Sequence, residues 1–333
     1  MSTATPIDPA PEPSAFQHLK SAAPRETYRL SGRVNTGRTV VWLLLAGIVC
    51  VATAAVYCIA SVKCPEIKLT ALVTFLAGGV ISGWVYLVCR QGHVRNQRIA
   101  CVIAGGLGVF TLYFAWVAHL NYWAYELNAN GGNSSVFMAT PVMLYEWASW
   151  LFVNGSWTIG DNGNAVTGWV LVGFWVAEAA ILIGFPIAVV IQQMKSWMYC
   201  EECQQWMQYD QESVNLPTRS TDLAISRLRK GDLASIIQLG VDELQRERIS
   251  MKLCVCKSCE DSGCVEITET VREVANGQTV DREKRIAGPL AINRDEESEL
   301  RELAQQLKMV SAEMVAARLE DSPIPTGEEP QNA

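Results

Sequence analysis

Charge is what this sequence has least of. Only 18% of its 333 residues are Asp, Glu, Lys or Arg, against about 25% in a soluble domain. The shortfall falls on residues 39–192, which excludes an ordinary soluble protein. Histidine is almost missing: His18, His93 and His119 are the only three, and none neighbours the six cysteines from Cys200 onward. A metal site among those cysteines would therefore be all-thiolate. A P-loop, a nucleophile elbow and an H-E-x-x-H helix are also missing. Their absence removes the common signatures of nucleotide and peptide hydrolysis and leans the reading away from an enzyme. Gly105, Gly106 and Gly108 lie inside an apolar run, so they do not form a nucleotide loop. A cleavable signal peptide is not expected, because the first apolar run starts near Thr39, too far in and too long.

What the sequence does have is four apolar runs, about 39–60, 69–88, 99–120 and 168–191. Each has the roughly 20 residues that a bilayer crossing needs. Arginine and lysine set their expected orientation. Lys20, Arg25, Arg29, Arg33 and Arg38 precede the first run; Arg90, Arg95 and Arg98 lie between the second and third; Lys195 follows the fourth. The long loop 121–167 has no Lys or Arg at all. Both termini are expected in the cytoplasm and loop 121–167 outside it, in a multi-pass integral membrane protein whose first partner is the lipid bilayer.

Residues 136–153 are apolar too, but Thr140-Pro141 reads as an N-cap and first-turn pair. About thirteen residues then remain before Asn154-Gly155, too few for a crossing. Met143, Trp147, Trp150 and Leu151 fall on one face, so a helix lying in the outer interface is expected. Trp157 and Trp169 belong with Tyr113, Trp116, Tyr122, Trp123 and Tyr125 to an aromatic belt at the same level. Asn133 and Asn154 open formal glycosylation sequons in this loop.

Glu178 is the only ionisable residue deep in a run, roughly 15 Å from its outer end at helical rise. A carboxylate there costs about 2.5–3.5 kcal/mol on insertion scales. Ser82 with Gly78 and Gly79, or Thr111, are its expected partners by depth. An interhelical hydrogen bond is the structural reading of Glu178, and a proton or cation relay the functional one. Gly79 with Gly83, Ala104 with Gly108, and Gly173 with Ala177 permit close helix approach, within one chain or in a homo-oligomer. Pro186 is expected to kink the fourth run, and His119 to be a solvated interfacial side chain.

The soluble end carries two C-x-x-C pairs, Cys200/Cys203 and Cys256/Cys259. Two such knuckles supply four thiolates at the corners of a tetrahedron, the ligand set of a structural zinc ion. Cys254 and Cys264 are spare thiols and alternate ligands. A reducing cytoplasm keeps all six as thiols or metal ligands, so topology and cysteine chemistry agree. Residues 193–333 carry 17 basic and 26 acidic side chains, a net of -9. That disfavours nucleic acid as the partner of a zinc ribbon.

The expected fold class is a membrane all-α region of four transmembrane helices plus a small α+β cytoplasmic zinc-ribbon-like domain. The expected order is a disordered cytoplasmic tail 1–38, the membrane region 39–192, the ribbon-like domain 193–292 with a helical insertion 217–248, a helix 293–320 and a disordered tail 321–333. The insertion is expected as two helical pieces, 221–230 and 232–239. A strand is expected near 249–256, and a hairpin of 264–274 with 279–292 turning at Asn276-Gly277. Leu300, Leu303, Leu307, Val310 and Met314 give the last helix an apolar stripe that packs on the ribbon. Two functions are expected from this layout. The first is a membrane-anchored adaptor or regulator whose metal-stabilised domain docks a cytoplasmic protein. The alternative is a small-solute or proton-coupled transporter, or a membrane enzyme, working through Glu178.

Overall fold

A computed structural model describes Leu19 and residues 27–63, 67–127, 139–156, 165–209, 214–216, 218–219, 222–236, 240–241, 247–259, 263–275 and 278–321. The chain forms two compact units. One is Leu30–Trp197; the other joins the chain before Leu30 to the chain from Met198 onward.

The first unit is helical. Helices α1 (Thr36–Lys63), α2 (Ile67–Gln91) and α3 (Gln97–Leu127) are followed by a short α4 (Pro141–Asn154). A fourth long element is built from α5 (Gly168–Ala179), a π-helical turn (Ala180–Gly184) and α6 (Phe185–Met194). These make four helices long and apolar enough to cross a membrane. Each overruns its apolar window or matches it, because helix propagation costs little once started and polar flanks are as helical as the core. Leu44, Ile48, Val102 and Val170 stay 67%, 68%, 74% and 62% exposed. Water would not leave such rows of large aliphatics uncovered, whereas lipid would. The buried positions are mostly small: Ala46, Cys50, Ala54, Ala100 and Ala104 let α1 and α3 approach each other.

Two glycines mark close approaches. A Cβ at Gly108 of α3 would lie 2.6 Å from the Leu182 carbonyl oxygen and 2.9 Å from Ile183 Cα. A Cβ at Gly92, after α2, would lie 2.7 Å from Thr39 Oγ1, whose hydroxyl donates to the Gly92 carbonyl at 3.0 Å. The other expected small-residue contacts differ: Gly79, Gly83 and Gly173 have no atom within 4 Å of such a Cβ. Spacing alone does not tell which face of a helix meets a neighbour. The fourth long element is expected to kink at Pro186; a π-helical turn, Ala180–Gly184, ends two residues before that proline. Proline has no N–H and crowds the carbonyl four residues back, Leu182, so the turn widens there.

Helix α4 starts and stops as its sequence predicts. The Met143 N–H donates to the Thr140 hydroxyl at 3.3 Å, Pro141 occupies the first turn, and Gly155 closes the helix at φ 85° with its N–H on the Leu151 carbonyl. Fourteen residues give about 21 Å, short of a crossing. Leu151 is buried and Trp147 half-buried, while Trp150 is 45% exposed. Asn154 is exposed; Asn133 and Trp157 lie outside the described residues.

The second unit is a sheet with a helix. Its strands are β1 (Tyr199–Cys200), β2 (Gln205–Trp206), β3 (Gln208–Tyr209), β4 (Val214–Leu216), β5 (Thr218–Arg219), β6 (Gly240–Val241), β7 (Glu247–Val255), β8 (Gly263–Ala275) and β9 (Gln278–Ile292). The main sheet runs β3-β7-β8-β9 with β4 also on β7, all antiparallel. β1 pairs with β2, and β5 with β6. The expected helical insertion is thus partly strand. It holds α7 (Asp222–Arg229) and a 3-10 turn (Leu233–Ile236) between β5 and β6. The expected second helix, 232–239, is that one turn; residues 237–239 and the Asn276-Gly277 turn lie outside the described residues.

Helix α8 (Arg294–Asp321) follows β9 through a capping box. The Glu296 N–H donates to Asn293 Oδ1 at 2.9 Å, and the Asn293 N–H donates to Glu296 Oε2 at 3.0 Å. Leu300 and Leu303 enter the core with Ile249, Leu253, Val265 and Leu290. The side chains of Leu307, Val310 and Met314 lie outside the described residues.

The expected disordered tail through residue 38 is corrected at three points. Leu19 is buried in this same core, and its N–H donates to Glu299 Oε2 at 2.9 Å. Thr27 bridges to Leu290, and the Tyr28 N–H donates to the Pro289 carbonyl at 2.8 Å. Helix α1 already begins at Thr36. Local composition could not reveal this docking, because the partners are more than two hundred residues away in sequence.

Candidate metal centre and a helical cavity

The two knuckles meet. Between β1 and β2 the chain turns through Gln204, which takes φ 52°, and brings Cys200 and Cys203 to one side. β7 ends at Val255 and delivers Cys256 and Cys259 to the same place. The sulfurs of Cys200, Cys203, Cys256 and Cys259 all lie within 4.8 Å of one another, with Cys200 and Cys259 3.6 Å apart. A tetrahedron with metal–sulfur bonds of about 2.3 Å has sulfur–sulfur edges of about 3.8 Å. The donor set therefore fits one tetrahedral ion and leaves no ligand position for water.

Hydrogen-bond donors surround these sulfurs. The Cys203 N–H points to Cys200 Sγ at 3.5 Å, and Gln205 Nε2 donates to Cys256 Sγ at 3.4 Å. Burial opposes ionisation of Cys256, but the backbone N–H groups of Cys259 and Ser258 and the Gln205 amide outweigh it and lower the pKa. Such donors compensate thiolate charge in a partly buried site.

Cys254 and Cys264 are directly opposite each other on β7 and β8 and fully buried. They share a small core with the four clustered cysteines, Met198, Met207 and Tyr28. The cluster does not include them. Burial, then the neighbouring Cys264 and Glu266, pushes the Cys254 thiol up to about 12; burial pushes Cys264 up to about 12. They pack as neutral thiols behind the site.

In the helical unit, Glu178 meets a partner other than those expected. Its carboxyl hydrogen-bonds with the Tyr57 hydroxyl of α1, which also lies 3.4 Å from Thr74 Oγ1 of α2. Ser82 and Thr111 instead donate to the Gly78 and Leu107 carbonyls of their own helices. Matching depth cannot choose between neighbours, and Tyr57 sits in an apolar run where it reads as an aliphatic substitute.

Glu178 and Tyr57 line a cavity of about 440 Å³ at the end of the unit where α1 and α3 finish and α2 and α5 begin. Its aromatic walls are Trp116, Tyr122, Trp123 and Trp175, with His119 and Glu126 beside them. Trp116 and Trp175 meet edge to face at 5.0 Å and 74°, and Tyr122 and Trp123 at 6.2 Å and 87°. His119 is corrected here. It is half-buried and packed on Trp147, whose Nε1–H donates to His119 Nδ1 at 3.1 Å. A ring nitrogen that accepts carries no proton, so the imidazole is neutral with its hydrogen on Nε2.

No protein-family model, curated protein or solved structure matches the chain.

Proposed function

We propose that the protein is a membrane-anchored adaptor or regulator, whose cytoplasmic zinc-ribbon-like unit docks a protein partner. The observation that carries this reading is the closed set of four sulfurs within 4.8 Å. A four-thiolate zinc site has no open position for substrate or water, so its work is to hold a fold together. Strands β1 and β2 and the β7–β8 connection would then be two zinc knuckles pinned by one ion. The acidic character of residues 193–333 favours a protein over nucleic acid as the docking partner.

The arrangement of the termini supports the topology. The chain before the first long helix and the chain after the fourth belong to one unit, which supports a common side of the membrane for both. A common side goes with an even number of crossings, four in this reading, with α4 lying in the interface. The basic residues around the helices then put this face in the cytoplasm.

The test uses the full chain purified in mild detergent from its own cells. A partner should co-purify with the wild type and with Glu178→Gln, and be lost with Cys200→Ser. Absence of any partner above background, together with a proton flux in proteoliposomes abolished by Glu178→Gln, would favour the transporter instead.

A further inference from the structure

We infer that the helical cavity is a binding site for an organic ammonium group, a quaternary or tertiary amine carried by a small molecule or a lipid headgroup. The inference is independent of the metal-site reading. The cavity volume of about 440 Å³ is within the range of small-molecule sites. Its walls combine two features. Indole and phenol rings line it, with Trp116 and Trp175, and Tyr122 and Trp123, set near right angles to each other. Two carboxylates, Glu178 and Glu126, line the same space.

Electrostatics select the ligand's sign. An aromatic face attracts a cation through its quadrupole, most strongly where water is excluded. Glu178 and Glu126 set carboxyl oxygens, which attract a cation, beside these faces, while His119 is neutral. The opposing charge is Lys63, whose Nζ lies 5.9 Å from the Tyr122 ring centroid. It demonstrates that this wall already accepts a cation. An anion would meet carboxyl oxygens and electron-rich ring faces, with Lys63 alone to offset them. A metal ion is disfavoured too: among the described residues only the cysteine cluster gathers metal ligands closely enough. A bulky, weakly hydrated ammonium needs few oxygen ligands and much aromatic surface, which is what the cavity offers.

Glu178 is fixed for this role. Its bond with the Tyr57 hydroxyl ties α5 to α1, and Thr74 brings α2 to the same phenol. An occupant beside Glu178 would therefore touch three of the four long helices.

The test titrates the full chain in nanodiscs of phosphatidylglycerol with choline, following tryptophan fluorescence and calorimetric heat. The expected result is saturable binding that is at least about tenfold tighter than that of 3,3-dimethylbutan-1-ol, the neutral isostere. Glu178→Gln and Trp175→Leu should each weaken choline about tenfold. Repeating the titration in phosphatidylcholine discs assigns the source: loss of choline binding means that the lipid headgroup occupies the site, and retention means a free amine. No saturable response, equal affinity for the neutral isostere, or unchanged affinity in both variants would overturn the inference. The isostere comparison needs no variant, so it decides the matter even if a substitution fails to fold.

Discussion

The Tyr28 hydroxyl donates to the Tyr199 carbonyl at 2.8 Å and accepts from the Tyr199 N–H at 2.9 Å. One side chain from before the first long helix thus bonds both backbone groups of Tyr199, the residue next to Cys200. Tyr28→Phe would remove this partner and leave polar groups of a buried residue short of a bond, at about 1–3 kcal/mol. A lower unfolding midpoint and faster proteolytic clipping near residue 28, with Arg29→Ala as the neutral control, are the expected readouts.

The same tyrosine predicts alkaline sensitivity. Burial, partly offset by its bond to Tyr199, pushes the Tyr28 pKa from 10.0 to about 12. The folded state holds the proton more tightly, so its contribution to stability is intact below pH 10 and is lost as pH rises from 10 to 12. Tyr28→Phe should flatten that part of the stability–pH curve, as measured by chemical unfolding at each pH.

Joining both ends of the chain in one unit predicts that they share a side of the membrane. Epitope tags at the N-terminus and after residue 333 should be digested together only once the cytoplasmic face is opened to protease. Digestion of one tag while the other stays protected would mean an odd number of crossings, with α4 as the added span.

Helix contacts predict unequal tolerance among glycines that look alike in sequence. Gly108→Val must push the Leu182 carbonyl and Ile183 away from α3, and should cost more than about 2 kcal/mol as overpacking. Gly83→Ala meets open space and should be neutral or slightly stabilising. Thermal unfolding of the detergent-solubilised protein separates the two.

The elements most legible in the sequence are those that depend on local chemistry. Apolar length marked the four long helices, Thr140-Pro141 and Gly155 bounded α4, and period-2 alternation placed β8 and β9. The two C-x-x-C pairs were visible because a knuckle is a local turn; that they meet across fifty residues depended only on thiolate chemistry. What could not be read is what long-range geometry decides. Tyr57 as the partner of Glu178, the docking of Leu19 and Tyr28, and the choice of Gly108 over Gly83 all depend on which faces meet. The strand pair within 217–248 was missed because β5 and β6 are two residues each and leave no periodic signal.

The proposed structural zinc would be held by the thiolates of Cys200, Cys203, Cys256 and Cys259. The direct measurement is metal content by mass spectrometry on the full chain, purified under reducing conditions without added metal. About one zinc per chain is expected, lost in Cys200→Ser and in Cys256→Ser but kept in Cys264→Ser, because Cys264 packs behind the cluster. A metal-free protein whose Cys200 and Cys259 pair on mild oxidation would contradict it and make the cluster a redox centre.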